Sequence, residues 1–63
     1  MGYVVIGLDD EGYEVSGGME WDTERDARQY AKRLAADKEA IAAGMVKVEM
    51  RNAGECVRDY FVN

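Results

Sequence analysis

The first 24 residues of the chain carry only acidic charge. They contain seven carboxylates and no Lys or Arg, whereas the remaining residues hold six acids and all eight bases, so one end of the sequence produces the formal net charge of −5. Clustered carboxylates can bind metal ions, transfer protons, or attract the Lys and Arg side chains of a partner. The acids concerned are Asp9, Asp10, Glu11, Glu14, Glu20, Asp22 and Glu24.

The first group comprises Asp9, Asp10, Glu11 and Glu14. It lacks the alternating ligands, central Gly and distant Glu of an EF-hand loop. Catalytic carboxylates need unequal environments inside a dry pocket, whereas a short turn is solvated. The group therefore indicates either a binding surface or a soluble hairpin tip, and it has no helix end to cap.

The second group, Glu20, Asp22 and Glu24, is spaced by two residues. On an extended backbone this spacing places the three carboxylates on one side at intervals of about 6.6 Å, comparable to successive phosphates of a nucleic-acid strand. The two groups together predict an anionic surface for a protein that grips DNA or RNA, because Lys and Arg accept carboxylate as readily as phosphate. Capping of the following helix is an alternative explanation of Asp22 and Glu24.

Basic residues recur on one face of the expected helix, at Arg25, Arg28 and Lys32. Such a stripe can contact RNA phosphates, although the acidic net charge opposes this and no aromatic stacking platform is evident. The i,i+4 pair Glu24–Arg28 favours an ordinary solvated helix face instead. A third interpretation is self-association of the acidic hairpin with the basic helix.

Two aromatic residues near the acids, Trp21 and Tyr13, are either core residues or interface anchors, and the small number of aromatics favours the core. If exposed, Trp21 would supply apolar contact to a partner. Cys56 is the single cysteine and the chain has no histidine, which excludes an internal disulfide and a Cys–His nucleophile. We expect Cys56 to be a small, partly buried hydrophobe, and we predict no catalytic residue, metal site or cofactor.

Length and composition indicate a single domain covering residues 1–63. The chain is 48% hydrophobic and 33% charged, which is ordinary for a folded domain. No apolar run is long enough for a membrane span or a signal sequence, and an unpaired cysteine fits a reducing cytoplasm. The acidic charge argues against direct contact with nucleic acid or an anionic membrane.

The N-terminal part of the chain predicts a β-hairpin. Residues 3–8 are rich in β-branched and aromatic residues, and an acidic loop with Gly12 separates them from a second strand at residues 13–16. Gly17-Gly18 is expected to end that strand. The next residues are expected to be extended, with Met19 and Trp21 inward.

One helix is predicted next, with its N-cap at Thr23 or Asp22 and its end at Gly44. Its apolar face comprises Ala27, Tyr30, Ala31, Leu34, Ala35, Ile41 and Ala42. Residues 45–51 then alternate with period two, which turns one set inward: Val46, Val48 and Met50.

A turn at residues 52–55 and a last strand at residues 56–62 complete the order β-β-α-β-β, although the pattern leaves the inward set of the last strand open. The expected fold is a small α+β domain in which one helix packs on one face of a mainly antiparallel sheet.

In size, acidity and β-β-α-β-β organisation, the chain resembles the small proteins that phages and mobile elements use against bacterial defence. The anti-CRISPR proteins are the best-known group, and several of them are acidic DNA mimics. The resemblance concerns the whole chain rather than a motif. It implies binding to a Cas protein or complex at a surface meant for DNA, in the cytoplasm of a bacterial host cell.

A local stretch is similar to the start of HicB-type antitoxins. It comprises Tyr-Val-Val-Ile at residues 3–6, Asp-Asp-Glu-Gly-Tyr-Glu-Val-Ser at residues 9–16, and Asp22-Thr23 before an Ala-rich helix. That family continues with a Pro-Asp-Leu-Pro-Gly-Cys strand, where this chain has Gly-Gly-Met-Glu-Trp at residues 17–21. The similarity implies neutralisation of a small basic RNase.

The function expected from these features is that of a small acidic, non-enzymatic inhibitor. It would bind a basic nucleic-acid-binding surface of a nuclease or nucleoprotein complex by charge mimicry, through the seven acids and Trp21. The alternatives are a structural or adaptor module or homodimer whose acidity serves solubility, and an antitoxin-like neutraliser of a small basic RNase.

Overall fold

The computed structural model describes residues 2–62. Four strands form one antiparallel sheet in the order β2-β1-β3-β4, and α1 packs against one of its faces. The prediction of an α+β domain with a helix on an antiparallel sheet is thus confirmed, and a short α2 is added. The elements are β1 (Tyr3–Leu8), β2 (Glu14–Trp21), α1 (Glu24–Ala35), α2 (Lys38–Ala42), β3 (Lys47–Asn52) and β4 (Glu55–Phe61).

The β1–β2 hairpin is longer than the sequence predicts. The expectation that Gly17-Gly18 ends the second strand is wrong, because β2 continues through both glycines. Val5 pairs with Met19 and Ile6 pairs with Gly17, which makes Gly18 the extra residue of a β-bulge. Both glycines have a φ of +88°, which glycine adopts without a steric penalty. The glycines therefore bend the strand rather than end it.

The predicted single helix is two helices. The Thr23 hydroxyl accepts the backbone N–H of Asp26 at 3.2 Å, so Thr23 rather than Asp22 is the N-cap of α1. The expectation that this helix reaches Gly44 is wrong, because the Asp37 carboxylate accepts backbone N–H groups of the next turn and starts α2. Gly44, with a φ of +106°, follows α2 and ends the helical segment as predicted.

The core lies between α1 and the two central strands. Its largest fully buried side chains are Met45, Met50, Val5 and Val48. Helix α1 adds Ala27, Ala31 and Leu34. Two positions predicted to face inward, Val46 and Ala42, are exposed instead. Strand β3 begins only at Lys47, so the alternation does not extend back to Val46. Met45, which precedes the strand, is buried in the core instead.

Strands β3 and β4 are joined by a tight turn at Ala53 and Gly54, whose φ angles are 56° and 82°. Positive φ at both central residues is the geometry of a type I′ turn, which suits the twist of a hairpin. Tyr60 lies opposite the buried Val48 and packs against the core. Phe61 therefore projects from the other face and is 67% exposed.

Among the described residues, no helix combines the length and the apolar character that crossing a membrane requires.

Candidate binding surface at the acidic sheet edge

Exposed carboxylates of the β1–β2 hairpin follow one edge of the sheet, because β2 is the outermost strand on that side. Glu14 and Glu20 lie opposite Leu8 and Val4, so both project from the face that does not carry α1. The strand between them spans about 20 Å. We use the name acidic edge for the exposed carboxylates of this hairpin and its exit: Asp10, Glu11, Glu14, Glu20 and Asp22.

Two glycines leave room for the glutamates of the acidic edge. A Cβ built on Gly18 would lie 2.9 Å from Oε2 of Glu14, and a Cβ on Gly2 would lie 2.6 Å from Oε2 of Glu20. Each glutamate thus lies against bare backbone, and a side chain at either glycine would displace it. The glycines of the hairpin therefore shape the charged surface as well as the strand.

The hairpin tip is organised by Asp9. Its Oδ1 accepts the backbone N–H of Glu11 at 2.9 Å and that of Tyr13 at 2.8 Å. Its own N–H donates to the Tyr13 carbonyl oxygen at 2.9 Å. Asp9 caps no helix, as expected, but it has a structural role in the turn that the sequence analysis does not predict. The exposed charge of the tip belongs to Asp10 and Glu11.

The second acidic group does not form the predicted row on an extended backbone. Glu20 lies in β2, Asp22 follows that strand, and Glu24 is the first residue of α1. Oε2 of Glu24 accepts Nη2–H of Arg28 at 2.6 Å, and this contact raises the pKa of the Arg28 guanidinium. The predicted i,i+4 pair is thus confirmed. Glu20 and Asp22 are the members of the group that remain exposed.

The aromatic side chains beside the acids differ in environment. Trp21 is half-buried, packs against the core and meets Tyr30 with ring centroids 5.1 Å apart, so its core role is confirmed. Tyr13 is 68% exposed, which contradicts its predicted core role, because the hairpin tip carries it beyond the sheet. Met19 is exposed as well, since it lies on the edge strand. Contact of Trp21 with a partner stays a prediction.

A second charged cluster lies on the sheet face opposite α1. Oε1 of Glu49 accepts Nε–H of Arg51 at 2.8 Å, and Oε2 lies 3.1 Å from Nζ of Lys47. The hydrogen bond from Arg51, followed by that from Lys47, lowers the pKa of the Glu49 carboxyl. The alternation of β3 already places these three residues on one side. The register that brings Asp59 opposite Glu49 is not visible in the sequence.

Cys56 belongs to the same face and is exposed, so the expectation of a partly buried hydrophobe is wrong. A register shift after Met50 places it opposite Arg51, on the solvent side of the sheet. Its Sγ donates to Oδ1 of Asp59 at 3.1 Å. Desolvation of the sulfur and the neighbouring carboxylate raise the pKa of the thiol. A protonated thiol is a poor nucleophile and a poor metal ligand.

Two groups of described residues bring three ligand atoms within 4.8 Å of one another: Asp9, Asp10 and Glu11, and Glu49, Cys56 and Asp59. In the first group, Asp9 is committed to two backbone N–H groups. In the second, Glu49 is paired with two cations and the thiol holds its proton. Neither donor set favours a metal ion, and both are better described as charged surface.

A groove of about 320 Å³ lies between the end of α1, α2 and β4. Its floor is apolar and two exposed lysines stand at its rim; the lining residues are Lys32, Ala35, Ala36, Lys38, Ile41 and Phe61. Sequence reasoning misses this groove, because the break between the helices and the outward position of Phe61 both depend on the fold. The only sequence signal is Lys38, which interrupts the apolar face of the expected helix.

Comparison of the chain with models of protein families finds no match. Comparisons with curated proteins and with solved structures find none either.

Proposed function

We propose that this protein is a small non-enzymatic inhibitor whose acidic edge binds a basic nucleic-acid-binding surface of a nuclease or nucleoprotein complex. The observation that carries the proposal is the acidic edge itself, five exposed carboxylates on a segment that contains no Lys or Arg. One strand of duplex DNA presents about six phosphates over about 20 Å. Glu14 and Glu20 are the two carboxylates of the acidic edge within such a span, so the edge would match the sign of the phosphate charge at a lower density.

The arrangement of the acidic edge suits charge mimicry in a second respect. Asp9 holds the tip through backbone hydrogen bonds, and the bulged strand holds Glu14 and Glu20 on one face. A surface that is ordered before binding loses less conformational entropy when it meets Lys and Arg. Carboxylates also form the short, charge-assisted hydrogen bonds with guanidinium groups that phosphates form.

The anti-CRISPR resemblance indicates a Cas protein or complex in the cytoplasm of a bacterial host cell as the partner. The antitoxin resemblance indicates a small basic RNase as the partner, and that RNase would bind to the same acidic edge. Direct RNA binding through the helix is less well supported, because Arg28 is already paired with Glu24. An adaptor whose acidity serves only solubility would not need its charges in any particular place.

The test compares two double charge reversals that change the net charge equally. Glu14→Lys/Glu20→Lys removes the strand acids of the acidic edge, whereas Glu39→Lys/Glu55→Lys removes two exposed acids elsewhere. Each protein is added to purified Cas effector complexes binding labelled DNA, and to a basic RNase cleaving labelled RNA. We expect the wild-type protein and the second variant to inhibit one of these partners, and the first variant to lose inhibition by about tenfold or more.

Far-UV circular dichroism shows that both variants are folded before the comparison is made. Equal inhibition by the two variants would contradict the proposal, because the position of the acids would then be irrelevant. Absence of inhibition by the wild-type protein in both assays would contradict it as well.

A further inference from the structure

The groove between the helices and β4 combines apolar surface with positive charge. Ile41 and two alanines form the floor, and Phe61 of the edge strand borders the groove, although its side chain turns toward the other sheet face. Lys32 and Lys38 at the rim are exposed and have no ion-pair partner within the described part of the chain. Such a surface favours an occupant that carries both an aromatic group and carboxylates.

The hairpin tip of the same molecule has that composition. Tyr13 is 68% exposed and, with Phe61, is one of the two most exposed large hydrophobic residues described. Asp10 and Glu11 stand beside it with their carboxylates in solvent. The bonds made by Asp9 fix the position of this loop. The tip is therefore an ordered protrusion that presents one aromatic and two acidic side chains.

The tip and the groove lie at the same end of the sheet. Lys47 pairs with Leu8, the last residue before the tip, and also with Phe61 of the groove. Two strand spacings separate β1 from β4 there, which is about 10 Å. The tip of one molecule does not need to reach across its own sheet, because a second molecule can present its tip to the groove.

We propose that two copies of this chain associate end to end around a two-fold axis, each hairpin tip occupying the groove of the other copy. Placement of both surfaces at one end allows the two contacts to form together and close the dimer, whereas surfaces at opposite ends would produce open chains. Tyr13 then covers Ile41 and the alanines of the floor, and Asp10 and Glu11 meet Lys32 and Lys38. The pairing also offsets part of the repulsion among the acids.

This inference stands independently of the proposed function. If both hold, a basic partner competes with the groove lysines for the tip, so binding of the partner dissociates the dimer. Glu14, Glu20 and Asp22 of the acidic edge lie outside the dimer contact and stay accessible.

Charge reversal with rescue by mixing provides the test. The tip variant Asp10→Lys/Glu11→Lys has a basic tip and a basic groove, and the groove variant Lys32→Glu/Lys38→Glu has an acidic tip and an acidic groove. Sedimentation equilibrium of the wild-type protein is expected to show a dimer that weakens as salt rises. Each variant alone is expected to dimerise at least about tenfold more weakly. An equimolar mixture is expected to regain the dimer mass, because each basic surface then meets an acidic one.

Controls lie at the other end of the sheet, where Glu55→Lys and Arg25→Glu should leave the dimer unchanged. Tyr13→Ala removes the aromatic contact of the tip without altering charge, and is expected to give a monomer. Circular dichroism shows that each variant is folded. A wild-type protein that stays monomeric at millimolar concentration would overturn the inference. Dimers that persist in both charge variants, or a mixture that stays monomeric, would overturn it too.

Discussion

At one edge of the sheet, β2 carries two register shifts, two glycines with positive φ and the exposed Glu14 and Glu20. At the other edge, β4 carries one register shift and the exposed Val57 and Phe61. An unpaired strand invites pairing with other chains, and bulges and charges are the usual protection against it. The β2 edge is therefore protected from strand pairing by bulges and charge, whereas the β4 side leaves apolar side chains in solvent.

The largest effect is expected where the β2 edge depends on a glycine. An alanine Cβ at Gly17 would approach the Val5 carbonyl oxygen to 2.6 Å, in a backbone with a φ of +88°. We expect Gly17→Ala to lower the free energy of unfolding by about 3 kcal/mol, measured by urea denaturation. The matched control is Gly12→Ala, which has the same φ but no atom within 4 Å, and should cost about 1 kcal/mol. Equal costs would mean that the bulge does not constrain the edge.

The acids of the hairpin tip should separate into one that stabilises the turn and one that does not. Asp9→Ala removes the acceptor of two backbone hydrogen bonds, so we expect a loss of about 1–2 kcal/mol in the free energy of unfolding. Asp10→Ala removes an exposed charge and should change stability by less than about 0.5 kcal/mol. Thermal and urea unfolding measure both. A loss of stability in Asp10→Ala as large as in Asp9→Ala would contradict the assignment.

On the β4 side of the sheet, Glu49 should make stability depend on acid pH. Its folded pKa lies below the ordinary value of 4.5, so its stabilising effect is present above that pH and is lost as the pH falls through the folded pKa. We expect Glu49→Gln to cost about 1 kcal/mol at neutral pH and to flatten the pH dependence below 4.5. Glu55→Gln, at an exposed position of β4, is the control. An unchanged acid dependence in Glu49→Gln would refute this role.

The smallest expected effect concerns the thiol of β4. Because the Asp59 carboxylate contributes to the raised pKa of Cys56, Asp59→Asn should lower that pKa and increase the thiolate fraction at neutral pH. We expect alkylation by iodoacetamide to become about threefold faster, which corresponds to about half a pKa unit. The rate as a function of pH gives the pKa directly. A slower reaction in the variant would show that the carboxylate does not restrain the thiol.

The parts of the fold that sequence predicts are those with local causes. The β-branched run of β1, the Thr23 cap and the alternation around Val48 and Met50 each determine structure within a few residues. Gly17 and Gly18 mislead, because a glycine pair ends a strand in one context and forms a bulge in another. The break between the helices at Asp37 is not predicted by the sequence, because an aspartate can either cap a helix or lie on a solvated helix face.

The site is predicted less completely than the fold. The distribution of charge along the sequence reveals the acidic hairpin. The position of Asp10 and Glu11 in a predicted loop also predicts that they are exposed. The charge count does not show that Asp9 holds the turn or that Glu24 pairs with Arg28, because both contacts depend on the local backbone. Cys56 and Phe61 could not be placed, because a one-residue shift between β3 and β4 exchanges the two faces of the strand.

The most direct test of the acidic edge uses a cationic probe and requires no natural partner. A nona-arginine peptide is titrated into the ¹⁵N-labelled protein, and backbone amide shifts are followed by NMR. We expect the largest shift changes at residues 10–22, and we expect them to weaken when salt is added. They should disappear in Glu14→Lys/Glu20→Lys and persist in Glu39→Lys/Glu55→Lys. Shift changes centred on α2 or β4, or spread evenly over all exposed acids, would contradict a binding role for this edge.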